Sequence, residues 1–172
     1  MNEKMELELL TGTVVKSTDT YEIVKLDEPD SEGNLFEKRM KYKRIATHMP
    51  ENEKEIVELY AVLNDSTGEK VTPMKEVVGL TFVAKNFYTS PYDSFDGKTG
   101  ETSRGVTTTI EDSEGNFYAT SSKSVYYSVI NLYENFGMKP FILQIVGIKR
   151  EKGRVQINVQ LTGIQEEPKK AQ

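Results

Sequence analysis

Between residues 72 and 165 the chain presents, in order, a long strand pattern, a polar loop, a hairpin, a capped helix and a second hairpin. Residues 77–89 have the β-branched and aromatic composition of a strand, and the pattern breaks at Ser90-Pro91. A polar loop follows through Asp93, Gly97, Gly100 and Ser103. Residues 105–111 then alternate, with Val106, Thr108 and Ile110 on one side and Thr107, Thr109 and Glu111 on the other. Asp112-Ser113-Glu114-Gly115 turns the chain into a strand over 116–120. Ser121 or Ser122 supplies a helix N-cap, Val125, Val129, Leu132, Tyr133 and Phe136 form one helical stripe, and Gly137 stops the helix before Pro140. Residues 141–148 are almost continuously apolar, as suits a strand buried on both faces. Glu151-Lys152-Gly153 turns into a last strand over 154–162, whose Val155, Ile157, Val159 and Leu161 are expected to face inward. Strand–strand–strand–helix–strand–strand is the chain order of an OB-fold, a five-stranded barrel with its helix between the third and fourth strands. The fold class expected is therefore mainly β, with the barrel spanning residues 72–165.

Residues 1–71 are not needed by that barrel and read as a β-rich extension packed on it, with one short helix. Strands are expected over 7–16 and 21–26, with a turn between them, and residues 28–34 form a loop. Residues 35–45 alternate loosely and carry Lys38, Arg39, Lys41, Lys43 and Arg44. A helix follows Pro50, with Glu51 and Glu53 in its first turn and Ile56, Leu59, Tyr60 and Leu63 on one face; a strand over 57–63 is the alternative. The tail, residues 166–172, has no core residue and is expected to be disordered.

Composition narrows the function classes. No apolar run approaches the ~20 residues of a membrane helix, and the first ten residues alternate Glu with apolar side chains rather than forming a signal peptide. Cys is absent, which removes disulfides, thiolate nucleophiles and zinc–cysteine sites, and cytoplasmic residence is expected. The net charge of −5 argues against a surface coated in positive charge. It leaves room for a local basic groove, because the acidic residues cluster at 1–8, 27–32, 50–58 and 111–114.

Barrels of this order bind through the face of their second and third strands and the loops at the hairpin ends. Five aromatic residues fall there or nearby: Tyr88, Tyr92, Phe95, Phe117 and Tyr118. Exposed Tyr and Phe rings stack nucleic-acid bases whatever their identity. Lys85, Arg104, Lys123, Arg150 and Arg154 flank them as phosphate contacts, which would make binding salt-sensitive. The competing reading packs these rings into the core, although Phe117 and Tyr118, being adjacent on a strand, cannot both point inward. The basic run 38–44 reads either as an extension of a phosphate-tracking groove or as a solvated edge strand kept from aggregating by its charges.

Catalytic chemistry finds little support. His48 is the only histidine, so any Ser–His–Asp triad would have to use it. The carboxylates Asp93, Asp96, Glu101, Glu111, Asp112 and Glu114 lie in turn-rich segments with no diagnostic metal spacing, and Gly97-Lys98-Thr99-Gly100 lacks the spacing of a phosphate loop. No enzyme activity, cofactor or metal is expected.

Several segments taken together are similar to a known group. Leu59-Tyr60-Ala61-Val62-Leu63-Asn64-Asp65, Met74-Lys75-Glu76-Val77-Val78-Gly79, residues 104–110, Tyr118-Ala119-Thr120-Ser121-Ser122-Lys123 and Glu134-Asn135-Phe136-Gly137 resemble the single-stranded DNA-binding proteins of phages and of conjugative plasmids of Gram-positive bacteria. The similarity covers roughly residues 59–162 and leaves the first 50 residues unmatched. It implies an OB-fold that coats single-stranded DNA, with little sequence preference, during replication or transfer. No residue-level binding motif carries over, and the C-terminus lacks an acidic tip ending in Phe. The partner expected is single-stranded DNA, with further copies along the strand and replication proteins left open. The alternative is a protein-interaction or structural β-barrel that binds no nucleic acid.

Overall fold

The computed structural model describes residues 12–65, 67–95, 97–98 and 102–166, with the side chains of 94, 95, 102 and 103 outside that set. The fold is mainly β, and the described chain divides into two units: Met1–Lys43 with Pro91–Gly105, and Arg44–Ser90 with Val106–Gln172. The expected strand over 7–16 lies partly outside the described residues, as does the tail beyond 166.

The first unit contains an antiparallel meander of β1 (Gly12–Ser17), β2 (Tyr21–Leu26) and β3 (Phe36–Met40). Thr18 shapes the first turn, its hydroxyl donating to the Tyr21 carbonyl and accepting from the Tyr21 amide. Asp30 shapes the second by accepting from the amides of Glu32 and Asn34. Alternation along β2 sends Val24 and Leu26 to a buried face and Ile23 and Lys25 to the other. The strand ends at Met40, so the basic run does not continue as one ribbon: the Lys41 ammonium turns back to the Ser17 hydroxyl and the Thr18 carbonyl.

The second unit begins with the two-residue β4 (Ile45–Ala46) and helix α1 (Glu53–Leu63). Asn52 caps α1 by accepting from the Glu55 amide, and Glu53 and Glu55 oppose the positive end of the helix dipole, which fixes helix over the strand alternative. After β5 (Val71–Pro73) and a 3-10 turn, β6 runs over Thr81–Phe95, later at both ends than expected. Gly79, with φ of +99°, turns the chain just ahead of the strand and delays its start. The strand passes through Pro91 because β4 pairs β6 only at Tyr88 and Thr89, so no donor is required beyond them on that side. β7 (Thr102–Asp112), β8 (Phe117–Thr120), α2 (Lys123–Phe136), β9 (Phe141–Lys149) and β10 (Val155–Ile164) follow.

The sheet order β10-β9-β6-β7-β8 sets the five barrel strands as fifth, fourth, first, second and third, the OB-fold arrangement, and β5 adds in parallel to β8. Its core contains Phe87, Ile110, Val125, Val129, Phe141, Leu143 and Ile145, with the Phe87 and Phe141 rings stacked at 6.2 Å. Three details of patterning differ from expectation. On β10 only Ile157 and Val159 face the core, while Val155 and Leu161, expected inward, are exposed. β9 is buried on one face only, through Phe141, Leu143 and Ile145, while Ile148 is exposed. The buried face of α2 is Val125, Tyr126, Val129 and Ile130; Leu132 and Tyr133 are partly buried and Phe136 is exposed. The stripe is thus rotated toward the first two turns, where the helix lies on the barrel.

Candidate functional site

The sheet order ends at β10 on one side and at β5 on the other, and a seam lies where the link from β8 to α2 meets the start of β10. Side chains bridge it: the Ser122 hydroxyl donates to the Ile157 carbonyl at 2.5 Å, and the Gln156 amide bonds the Ser124 hydroxyl. Ser122 is the N-cap residue of α2, but its hydroxyl makes no cap bond because it is engaged across the seam. Beside the seam lies a groove of about 830 Å3, walled by β5 and its 3-10 turn, by the β8–α2 link and by the first residues of β10. Lys75 and Lys123 supply exposed ammonium groups, and Thr107, Thr120 and Ser121 supply hydroxyls. Asp65 is the carboxylate in that wall, and it accepts from the amides of Lys70 and Val71 and from Thr67. Those hydrogen bonds, the Lys70 amide first, hold Asp65 well below the usual carboxylate range. The two cations and several hydroxyls of this wall suit an anion such as a phosphate, and they outnumber the one ionised carboxylate, Asp65, whose hydrogen-bonding capacity is taken up by its own donors.

The β9–β10 hairpin is tied to the same groove. Arg150 donates from Nε to the Gln156 side chain at 2.7 Å, and Gln156 lines the groove. Arg154 is exposed at the end of that hairpin, where Lys152 takes a left-handed φ of 66°. Lys123, Arg150 and Arg154 therefore belong to one end of the barrel.

Three other expected contacts lie elsewhere. Lys85, Tyr88 and Phe117 line a cavity of about 330 Å3 whose opposite wall is α1, through Glu55, Glu58 and Leu59. Lys85 pairs with Glu111 at 3.5 Å, and His48 with Glu55 at 3.7 Å. Tyr88 is only 3% exposed, and its hydroxyl is pushed up to about 12 by burial first and by the Glu111 charge second. A ring so enclosed offers no face to a base, so the expectation that Tyr88 stacks at the surface is corrected. Tyr118 is corrected likewise. It points into the barrel, 8% exposed, stacked on Phe82 at 5.0 Å and donating to Asp112 at 3.0 Å. Phe117, its neighbour on β8, points to the opposite face and is half-buried.

The first unit brings together Tyr92 and Arg104 with part of the basic run. A cavity of about 530 Å3 is lined by Met40, Lys41, Tyr42, Tyr92, Asp93 and Arg104, among others. Arg104 lies 3.8 Å from Glu22 and 3.6 Å from Asp93, which hold it in place. Tyr92 is 41% exposed and lies against Gly105, where an added Cβ would come within 2.5 Å of the ring. The Phe95 side chain lies outside the described residues. Of the ten expected contacts, Lys123, Arg150 and Arg154 gather near the seam, Tyr92 and Arg104 share the first-unit cavity, and Lys85, Tyr88 and Phe117 line the cavity facing α1. Lys75, Thr107, Thr120 and Gln156 were missed. Each lies in an unremarkable local pattern, and only the pairing of β5 with β8 and the approach of β10 to the β8–α2 link bring them together.

No family model and no solved structure matches this chain. It is 29% identical over 160 residues to the single-stranded DNA-binding protein of Bacillus phage GA-1, an alignment covering 88% of this chain and 91% of that protein. The chain resembles a phage single-stranded DNA-binding protein. That similarity extends well beyond the segments that first pointed to the phage group, since it spans most of both chains.

Proposed function

We propose that this chain binds and coats single-stranded DNA with little sequence preference, during replication or transfer of a phage or mobile element, in the cytoplasm of the host. The observation that carries the reading is the cationic, hydroxyl-lined groove at the β8–β10 seam of an OB-fold, in a chain similar to a phage single-stranded DNA-binding protein. Phosphates lie along Lys75, Lys123, Arg150 and Arg154, and the exposed ring of Tyr92 stacks a base. Arg104 positions Tyr92's surroundings through Asp93 and Glu22 rather than reaching freely for phosphate. The protein holds the strand and performs no chemistry on it. Coating places further copies along the strand and brings replication proteins to it.

Fluorescence titration with oligothymidine at several salt concentrations tests this. Tight binding at low salt that weakens as salt rises is expected, with a log–log slope of about −0.7 per phosphate neutralised. Lys75→Gln with Lys123→Gln reduces the slope by about 1.4. Absence of binding at low salt, or affinity indifferent to salt, overturns the reading. A protein-interaction module is the second reading, favoured by the exposed Ile56, Val57 and Tyr60 of α1; salt-insensitive association with no affinity for oligonucleotides would select it.

A further inference from the structure

The two faces of the three-stranded sheet carry different charge. Strand register places Thr13, Lys25 and Phe36 in one cross-strand row and Lys16, Ile23 and Lys38 in the next, with Tyr21 beside Met40 beyond them. All of these lie on the face opposite the buried Val24 and Leu26. Lys16, Lys25 and Lys38 are exposed, and Phe36 is 55% exposed. The ammonium groups of Lys16 and Lys38 lie 5.6 and 4.5 Å from the centre of the Tyr21 ring, which gathers both charges over one aromatic. The strand carboxylates Glu22 and Glu37 lie on the other face, beside Arg104 and Arg39. Among the described residues, none of the three lysines has an ion-pair partner.

We infer that this lysine–aromatic face is a second binding platform for single-stranded DNA, with Phe36 stacking a base and Lys16, Lys25 and Lys38 holding phosphates. The inference rests on the proposed single-strand binding and extends it to a surface outside the barrel. Charge on an edge strand alone would serve to block aggregation. Lys25, however, sits on β2, the central strand, where there is no edge to protect. Like charges gathered on one sheet face are unfavourable in the free protein, and a polyanion relieves that repulsion. An exposed ring in line with Lys25 provides the π-face that a plain cationic patch would lack. Tyr21 acts as a positioning residue that keeps Lys16 and Lys38 together.

Titration of the full chain with oligothymidine reads the platform directly. Lys16→Gln, Lys25→Gln and Lys38→Gln combined make the salt slope shallower by about 2, three contacts at about 0.7 each. Phe36→Leu, which keeps the apolar volume but removes the π-face, weakens binding on the order of tenfold. Oligonucleotides carrying 5-iodouracil are expected to crosslink to Phe36 or Tyr21. Wild-type affinity and slope in the lysine and Phe36 variants, while Lys75→Gln with Lys123→Gln weakens binding, overturns the platform alone. No binding by the wild-type chain overturns the single-strand reading and the platform with it. Unchanged circular dichroism confirms that the exposed substitutions leave the fold intact.

Discussion

Tyr118 separates a barrel that uses its third strand for stacking from one that uses it for packing. Its ring is 8% exposed and stacked on Phe82, and its hydroxyl donates to Asp112. Tyr118→Phe removes that hydrogen bond alone. A bond to a charged acceptor contributes about 1.5–3 kcal/mol. Asp112 keeps the amides of Glu114 and Asn116 and the Asn116 side chain as donors, so its carboxylate is not orphaned and the cost falls near the low end, about 1.5 kcal/mol. Tyr118→Ala empties the ring volume as well, and large-to-small changes of buried aromatics cost about 3–5 kcal/mol. For a chain of 172 residues these convert to falls in Tm of about 3–6 °C and 6–20 °C. Thermal melts by circular dichroism, with oligothymidine titration of the folded protein well below each Tm, provide the readout. Both variants lose stability and keep wild-type affinity per folded molecule. A Tyr118→Ala protein that melts like the wild type yet binds tenfold more weakly would refute the packing argument. A pH series adds an independent check. The Tyr118 hydroxyl is pushed up to about 12, by burial first and then by its bond to Asp112 and the charges of Asp112 and Glu114. The neutral phenol is the form the fold favours, so this stability is fully present below about pH 10 and is lost as pH rises toward 12. Tyr118→Phe makes the alkaline decline shallower, and the similarly shifted Tyr88 accounts for part of what remains.

Gly105→Ala displaces the Tyr92 ring, which an added Cβ would meet at 2.5 Å, without straining the backbone. Oligothymidine affinity then falls to that of Tyr92→Ala, about 1–3 kcal/mol below wild type; wild-type affinity in Gly105→Ala beside a weakened Tyr92→Ala would remove this contact from the argument. Ser122→Ala opens the β8–β10 seam by leaving the Ile157 carbonyl without its side-chain donor, at a cost of about 1–3 kcal/mol. Faster hydrogen exchange of amides near the seam checks it, and unchanged exchange would show that the strands there hold without the serine.

Much of the architecture was written in local pattern. Asp112 and Gly115 build the β7–β8 turn, Asn52 and the acidic first turn start α1, and Gly137 ends α2, because each of those effects acts within a few residues. The alternation of Val106, Thr108 and Ile110 likewise fixed the inward face of β7. Composition was a poorer guide where the partner of a strand decides the outcome. β9 looked buried on both faces, yet only Phe141, Leu143 and Ile145 meet the core.

For the candidate site the sequence offered residue types, and the structure sets how exposed each of them is. Sequence alone determined that five strands and a helix would follow in OB-fold order, and that aromatic and basic residues would lie near the barrel's hairpins. Tertiary structure decided which of them are available. Tyr88 lies in a cavity facing α1, Tyr118 is in the core, and Ser122 bridges the seam instead of capping its own helix. Lys75, more than 40 residues before Lys123 in the chain, shares a groove with it only because β5 pairs with β8. The physical reason is range: turns and caps are set by bonds between near neighbours, whereas exposure and charge clustering depend on which distant strand lies alongside.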